Sequence, residues 1–412
     1  MELKPGFKVT AAGIIPESWG HSSVGFEFDI KLGKMLDSER NLGVPRPYLG
    51  NRAVQWGRID TADLPVVPMS PMDLDAFRLR QGDLLVCEGG EVGRAALWSA
   101  PISECYYQKA LHRLRPLRGF NTQLMVEFLR FWSGNGHLAD YVSQTSIAHL
   151  TREKFSLVPM PLPSPAEQRA IAAALSDVEA LLGALDQLIA KKRDLKQAAM
   201  QQLLAGQTRL PGFSGKWETK RLAYCLLSRP DYGINAAAVP FSDRLPAYVR
   251  ITDISSDGRF RPDTLVSVLH TNAQNYYLSA GDLVFARTGA SVGKSYLYDP
   301  QDGRLVFAGF LIRVRPDPRV LIPAYLAAYV TTGAYWRWVR LMSMRSGQPG
   351  INGNEYAQLE MTLPPLSEQA AIAKALTDME SEIVTLEQRR DKTRLLKQGM
   401  MQELLTGRTR LV

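Results

Sequence analysis

Residues Leu162–Leu210 recur at Leu363–Leu411, without a gap and at a constant offset of 201, and 26 of the 49 paired positions are identical. Solenoid repeats have periods of roughly 20–50 residues, so a copy this distant is a duplicated domain-plus-helix and not an array. The direct use of such a duplication is a pseudo-twofold molecule with two similar heads, like a dimer fused into one chain. The 412 residues, 45% of them hydrophobic, suffice for two or three domains with cores of their own. No uninterrupted apolar run approaches the ~18 residues of a membrane span. The first residues lack a basic-then-apolar leader, so a cytoplasmic protein without membrane attachment is expected. Cys87, Cys105 and Cys225 are odd in number and widely spaced, which fits buried reduced thiols better than a zinc or disulfide framework. A net charge of +8 favours a polyanionic partner without establishing one.

The repeated unit carries the start and stop signals of a helix. Ser164-Pro-Ala-Glu167 has the form of a capping box with proline at the first helical position, Glu167 reaching back to the Ser164 amide. In the second copy Pro365 replaces that serine, and Ser367 is the substitute further on. Apolar residues then recur in steps of four and three. Ile171, Leu175, Val178, Leu182, Leu185 and Ile189 form one stripe; Ile372, Leu376, Met379, Ile383 and Leu386 form the other. This is the a/d seam of a coiled coil. Gly206 and Gly407 fall just past the last apolar residues, where a helix ends most easily. Each helix should therefore run about 40 residues, or roughly 60 Å. Either each stripe packs on its neighbouring head, or the two helices pack on each other; the second is expected, in antiparallel orientation. Lys191/Lys392, Arg193/Arg394 and Lys196/Lys397 recur in the second half of each helix, either as a solvated face or as contacts to a polyanion.

The segments before the helices echo one another more faintly. Phe77–Val86 and Tyr277–Phe285 share a Gly-Asp-Leu, at Gly82 and Gly281, followed by a Gly-rich turn and a basic residue, Arg94 and Lys294. Leu111-His-Arg-Leu-Arg-Pro116 parallels Leu311-Ile-Arg-Val-Arg-Pro316, as a strand with one charged face would. Trp19 and Trp217 hold similar early positions. The heads are strand-rich, share a framework and differ in most loop residues, which suggests two different targets.

The order of these parts resembles the specificity (S) subunits of type I restriction–modification systems. The likeness rests on the Leu-Pro-x-x-x-Glu-Gln helix openings at 162–168 and 363–369, each with an Ile three residues later, and on the Gly-Asp-Leu with its Gly-rich turn. Tyr248-Val-Arg-Ile-Thr-Asp-Ile254 is similar to the early strand of that family's target-recognition domain, and Ser346-Gly-Gln-Pro-Gly-Ile-Asn352 to the polar loop before its helix. The likeness covers nearly the whole chain. The first head departs from it: Tyr48-Leu-Gly-Asn51 has no basic residue at the place of Arg250, and Ser143-Gln-Thr-Ser-Ile147 matches the later loop only in part.

The resemblance implies an α+β fold: two strand-rich mixed α/β target-recognition domains (1–161 and 211–362) joined by two long helices (162–210 and 363–412) in an antiparallel coiled coil. Each head would read one half of a bipartite, asymmetric double-stranded DNA sequence. The helices would set the gap between the halves and dock two modification (methyltransferase) subunits, which carry S-adenosylmethionine and flip the target base. Restriction (helicase–nuclease) subunits would join them, using ATP and Mg. No cofactor is expected in this chain.

The sequence carries none of the common catalytic motifs, in keeping with that division of labour. The chain has no Gly-x-Gly-x-x-Gly loop followed by a placed acid, no Walker loop and no Asn-Pro-Pro-aromatic motif. Gly289-Ala-Ser-Val-Gly293-Lys-Ser295 comes nearest to a phosphate loop and is one residue short between its glycines. Glu27 with Asp29-Ile-Lys31 resembles a nuclease element without its upstream Pro-Asp. His21, His112, His137, His149 and His270 lack metal spacing. Bases are read mostly by Arg, Asn and Gln, while other basic groups hold phosphates. The candidates on loops are Arg94, Gln108 and Lys109 in the first head, and Arg250, Arg287, Lys294, Arg345 and Gln348 in the second. Two other classes stay open: a protein-recruiting scaffold that binds no DNA, and an unrecognised nuclease.

Overall fold

A computed structural model describes residues 5–37, 41–144, 148–344 and 349–412. The chain forms two compact units, Met1–Asp186 with Gln388–Val412, and Gln187–Glu387. The division passes through the middle of both long helices, Pro165–Leu204 of 40 residues and Leu366–Leu404 of 39. Each unit is thus a head, the first half of the helix that follows it, and the last half of the other helix.

The heads repeat one topology. In the first unit a four-stranded antiparallel sheet runs in the order Ala95–Leu97, Leu84–Cys87, Leu111–Pro116, Phe28–Leu32. In the second the same order is Ser295–Leu297, Leu283–Ala286, Leu311–Val314, Asp231–Tyr232, and the central register matches, with Leu111 opposite Cys87 and Leu311 opposite Ala286. A second sheet in each unit contains one parallel pair, Val44–Leu49 with Tyr106–Tyr107 and Ala247–Val249 with Leu305–Phe307. The chain leaves the first sheet to meet this parallel pair at Gly33 and Gly233. A Cβ there would come within 2.3 Å of the Gln108 carbonyl oxygen and 2.2 Å of the Phe307 carbonyl oxygen, respectively, so only glycine fits.

The Leu-Pro-x-x-x-Glu-Gln motif is a clasp. Gln168 accepts from the Asn121 amide and donates to the Pro163 carbonyl, both at 2.9 Å, tying the head helix Thr122–Asn135 to the start of the long helix. Gln369 accepts from Ile322 and donates to Pro364, both at 3.0 Å, in the same way. The preceding Glu167 and Glu368 are almost wholly buried. Glu167 accepts from the Trp19 indole at 3.0 Å and from Arg410; Glu368 accepts from the Trp217 indole at 3.3 Å and from Arg209. Arg209 and Arg410 each lie three residues beyond the helix-ending Gly206 and Gly407, both at φ +68°. Ser164 caps the Glu167 amide, at 3.3 Å, and the Glu167 carboxylate reaches back to the Ser164 backbone and hydroxyl as the box requires, while also taking Trp19 and Arg410. The second helix begins at Leu366, with the Pro365 carbonyl accepting from Glu368 and Gln369.

Both expected uses of the apolar stripe occur together. Ile171 and Leu175 join Leu124 and Phe128 of the first head, and Met401 and Leu404 of the other helix, in one core. Ile372 and Leu376 join Tyr325 of the second head and Met200 and Leu203 likewise. Leu185, Ile189 and Ile383 are buried, and Val178, Leu182, Met379 and Leu386 are half-buried. Within each unit the helix halves run antiparallel: Glu179 meets Lys397 at 2.8 Å and Asp186 meets Arg390 at 3.6 Å in the first, while Glu380 meets Lys196 at 2.6 Å and Arg193 meets Glu387 in the second. Lys196 and Lys397 are therefore neither a solvated face nor polyanion contacts. Lys397 is 4% exposed and also meets the buried Glu127 at 3.1 Å. The three cysteines are buried and unpaired, and burial pushes the Cys87 thiol up to about 11.

Candidate nucleic-acid interface

The two head motifs turn out to be halves of one framework. Gly82 and Gly281 take φ values of +86° and +92°, which favour glycine, and the aspartate that follows closes the turn. Asp83 accepts from the Arg80 amide at 2.7 Å, and Asp282 from the Ser279 amide at 3.0 Å. Each also faces an arginine of the Leu-x-Arg-x-Arg-Pro strand: Arg115 at 2.6 Å and Arg315 at 3.6 Å. Burial lifts the Asp282 carboxyl above the ordinary range, against the pull of Arg313 and Arg315. The other arginine pairs across the sheet, Arg113 with Asp29 and Arg313 with Asp231 at 2.5 Å. Arg113 and Arg313 are only 4% and 1% exposed, so the alternating basic residues are not the charged surface that their spacing suggests. Each is a buried guanidinium paired with a carboxylate that reaches the surface, and loss of that carboxylate would strand the buried charge. Asp29, part of the nuclease-like element, is thereby committed to Arg113, while Glu27 accepts from Ser22 at 2.7 Å.

The strand that follows each Gly-Asp-Leu ends at the rim of its head. The next residue is Glu88 in the first and Arg287 in the second. Their backbones are held alike: Glu88 donates to Ala110 and accepts from Leu150, and Arg287 donates to Phe310 and accepts from Ile351. Around this rim the predicted residues separate into two groups. Gln108 lines a cleft of about 540 Å³ with Tyr48, Asn51 and Arg52, and Lys109 beside it is exposed. The Arg287 guanidinium lies 5.0 Å over the Tyr232 ring and has no carboxylate partner among the described residues. Lys294 is half-buried in the turn that returns to Ala286, its side chain without an ion pair among the described residues. Arg94, through its terminal nitrogens, and Arg250 are instead paired within the chain. Arg94 meets Glu91 at 3.2 Å and the Asn51 carbonyl at 3.0 Å; Arg250 grips Asp253 at 2.7 and 3.0 Å. Arg345 and Gln348 lie outside the described residues.

Sequence reasoning passed over Glu88, Tyr232 and the exposed Phe310. The signal for the first was present: Glu88 and Arg287 each stand six residues after the glycine of the shared Gly-Asp-Leu. Among the described residues no group of three or more His, Cys, Asp or Glu converges to hold a metal, and no helix is long and apolar enough to cross a membrane.

Comparison with known proteins accords with this duplicated plan. The family described as "Type I restriction modification DNA specificity domain" matches twice, over residues 54–192 and 247–395. The type I restriction enzyme EcoKI specificity subunit of Escherichia coli is 23% identical, the match covering 92% of this chain and 85% of the relative. The StySPI specificity subunit of Salmonella potsdam is 22% identical, over 91% of this chain and 85% of the relative. Among solved structures, the S subunit of a type I restriction–modification system from M. genitalium superposes with a TM-score of 0.61 at 14% identity, covering 98% of each chain. A second, from a study of type I complex assembly, gives 0.57 at 18% identity over 95% of this chain and 99% of the other. At these identities the two structures establish likeness of fold.

Proposed function

This chain belongs to the type I restriction–modification DNA specificity family and is a DNA sequence-specificity subunit, and from that premise we propose how its parts divide the work. Each head contacts one half of a bipartite, asymmetric double-stranded DNA target. The long helices set the gap and dock two methyltransferase subunits, to which restriction subunits add. The chain itself performs no catalysis; its partners supply S-adenosylmethionine, ATP and Mg.

The observation that carries this reading is a common framework with divergent rims. Pairs of a buried arginine with an aspartate, Arg113–Asp29 and Arg313–Asp231, recur, whereas the rim exchanges Glu88 for Arg287 and Ala110 for Phe310. Gln108, Lys109, Arg287 and Lys294 are the proposed DNA contacts, with Arg345 and Gln348 proposed from sequence alone. Arg94 and Arg250 serve by bracing the loops that present the others. Exposed leucines on the long helices, Leu188 and Leu195 on the first and Leu395 and Leu396 on the second, supply apolar surface for docking.

The test is reconstitution. The purified chain alone should neither methylate nor cleave DNA, and sequence-specific methylation should emerge when its methyltransferase partner is added. Methyl transfer by the isolated chain, with partner contamination excluded, would overturn the assignment, as would methylation by the mixture without sequence preference.

A further inference from the structure

We infer that Glu88 and Arg287 are equivalent base-reading positions of opposite hydrogen-bond chemistry. Glu88 accepts from the amino group of a cytosine in one half-site, and Arg287 donates to O6 and N7 of a guanine in the other. This inference rests on the DNA-binding reading above and sharpens it to one residue per head.

Three observations lead there. The first is equivalence. Both residues follow the central strand of the four-stranded sheet, both stand six residues past the Gly-Asp-Leu glycine, and both are tied through amide and carbonyl to the same two turns. The second is reversal. Framework charges keep their sign between heads: Asp83 and Asp282, Asp29 and Asp231, Arg113 and Arg313, Arg115 and Arg315. At the rim position an acid replaces a base. A residue that served the fold would share the constraint acting on its neighbours; one that serves a different ligand in each head would not.

The third observation is that neither side chain has an ion-paired or hydrogen-bonded carboxylate or cation as partner among the described residues. Glu88 is half-buried and makes no side-chain hydrogen bond among the described residues. Burial holds its carboxyl above the ordinary range, against the pull of His149 and Lys109. A desolvated carboxylate without donors is costly, and a donor arriving from outside would relieve that cost. Arg287 is likewise half-buried, held over the Tyr232 ring at 5.0 Å, with Tyr232 itself fixed by accepting from the Gly353 amide at 2.9 Å. A guanidinium pre-oriented on an aromatic face, with no carboxylate beside it among the described residues, is arranged for a bidentate acceptor pair. In the major groove the acceptor pair is guanine O6 and N7, and the donor that suits a carboxylate is cytosine N4. Both heads would then read a G·C pair at this position, one from each base.

The experiment is selection of bound sequences from a randomised duplex library by the full chain assembled with its methyltransferase subunits, comparing wild type with Glu88→Gln and Arg287→Gln. Glutamine is close in size to glutamate and pairs with adenine edges, so each variant should lose roughly 5- to 150-fold preference at one base pair of its own half-site and drift toward adenine there. The other half-site should stay unchanged. If wild type selects two half-sites and either variant selects the same two, or if either variant alters both halves, the assignment of these residues fails while the subunit's function stands. If wild type selects no sequence at all, the DNA-binding reading itself falls. Matching thermal melts for the three proteins would exclude a fold defect as the source of any change.

Discussion

At the residue scale, the duplication supplies internal controls that a single domain lacks. His112 is fully buried in the first unit; its Nε2–H donates to the Leu150 carbonyl at 2.7 Å, and Nδ1 has no hydrogen-bond partner among the described residues. Burial pushes the imidazole down to about 4. The folded unit therefore keeps it neutral while an unfolded chain protonates it near the ordinary value of about 6.5. Between those values the unfolded state binds more protons, so stability falls as the pH drops through this window, by about 2 kcal/mol at about pH 5. The second unit has Ile312, also buried, at the matching place. His112→Ile should flatten the pH dependence of the first unit's hydrogen-exchange protection between about pH 7 and about pH 5. An unchanged slope would mean that another group titrates. The same pairing of residues shows what sequence conveys at this scale. Arg113 and Arg313 read as a charged surface because alternation reveals a shared face without revealing what covers it. Asp29 and Asp231, which neutralise them, stand more than 80 residues earlier in the chain.

At the element scale, the long helices were the most legible part, since start signal, stripe and terminal glycine all lie within one local run. Their observed lengths of 40 and 39 residues agree with that reading. Less legible was the seam's second half, where Lys196 and Lys397 occupy inward positions. Their acids, Glu380 and Glu179, lie on the other helix, and no local pattern reveals such a partner. If the helices are the ruler between half-sites, inserting one matched heptad after Leu185 and after Leu386 keeps the stripe in register and lengthens each by about 10 Å. That is roughly 3 base pairs of duplex. The altered complex should retain both half-sequences and change the gap between them, with weakened binding because the DNA also rotates. Methylome sequencing that returned the original gap at full affinity would show that the partner subunits do the measuring.

At the scale of the whole molecule, two copies of one framework with different rims should be separable in specificity. Replacing residues 211–362 with the matching segment of a relative should change one half of the methylated sequence and leave the other intact. Alteration of both halves would mean that the heads do not read independently. The duplicated plan was legible because a constant offset survives divergence of the residues between the copies. Which loop residues read DNA was not, because rim and framework arginines look identical until their counter-charges are located.

The clasp on Glu167 has a consequence for biosynthesis. The second unit is one contiguous stretch, Gln187–Glu387, whereas the first needs Met401, Leu404 and Arg410 to finish its core and close over Trp19. As the nascent chain emerges from the ribosome, the head made first must wait while the whole of the second unit is synthesised, its apolar surface around Ile171 and Leu175 uncovered. Domains usually fold in the order in which they emerge. Here the unit begun first is completed last, once residues 401–410 arrive to cover Ile171 and Leu175 and to close over Trp19.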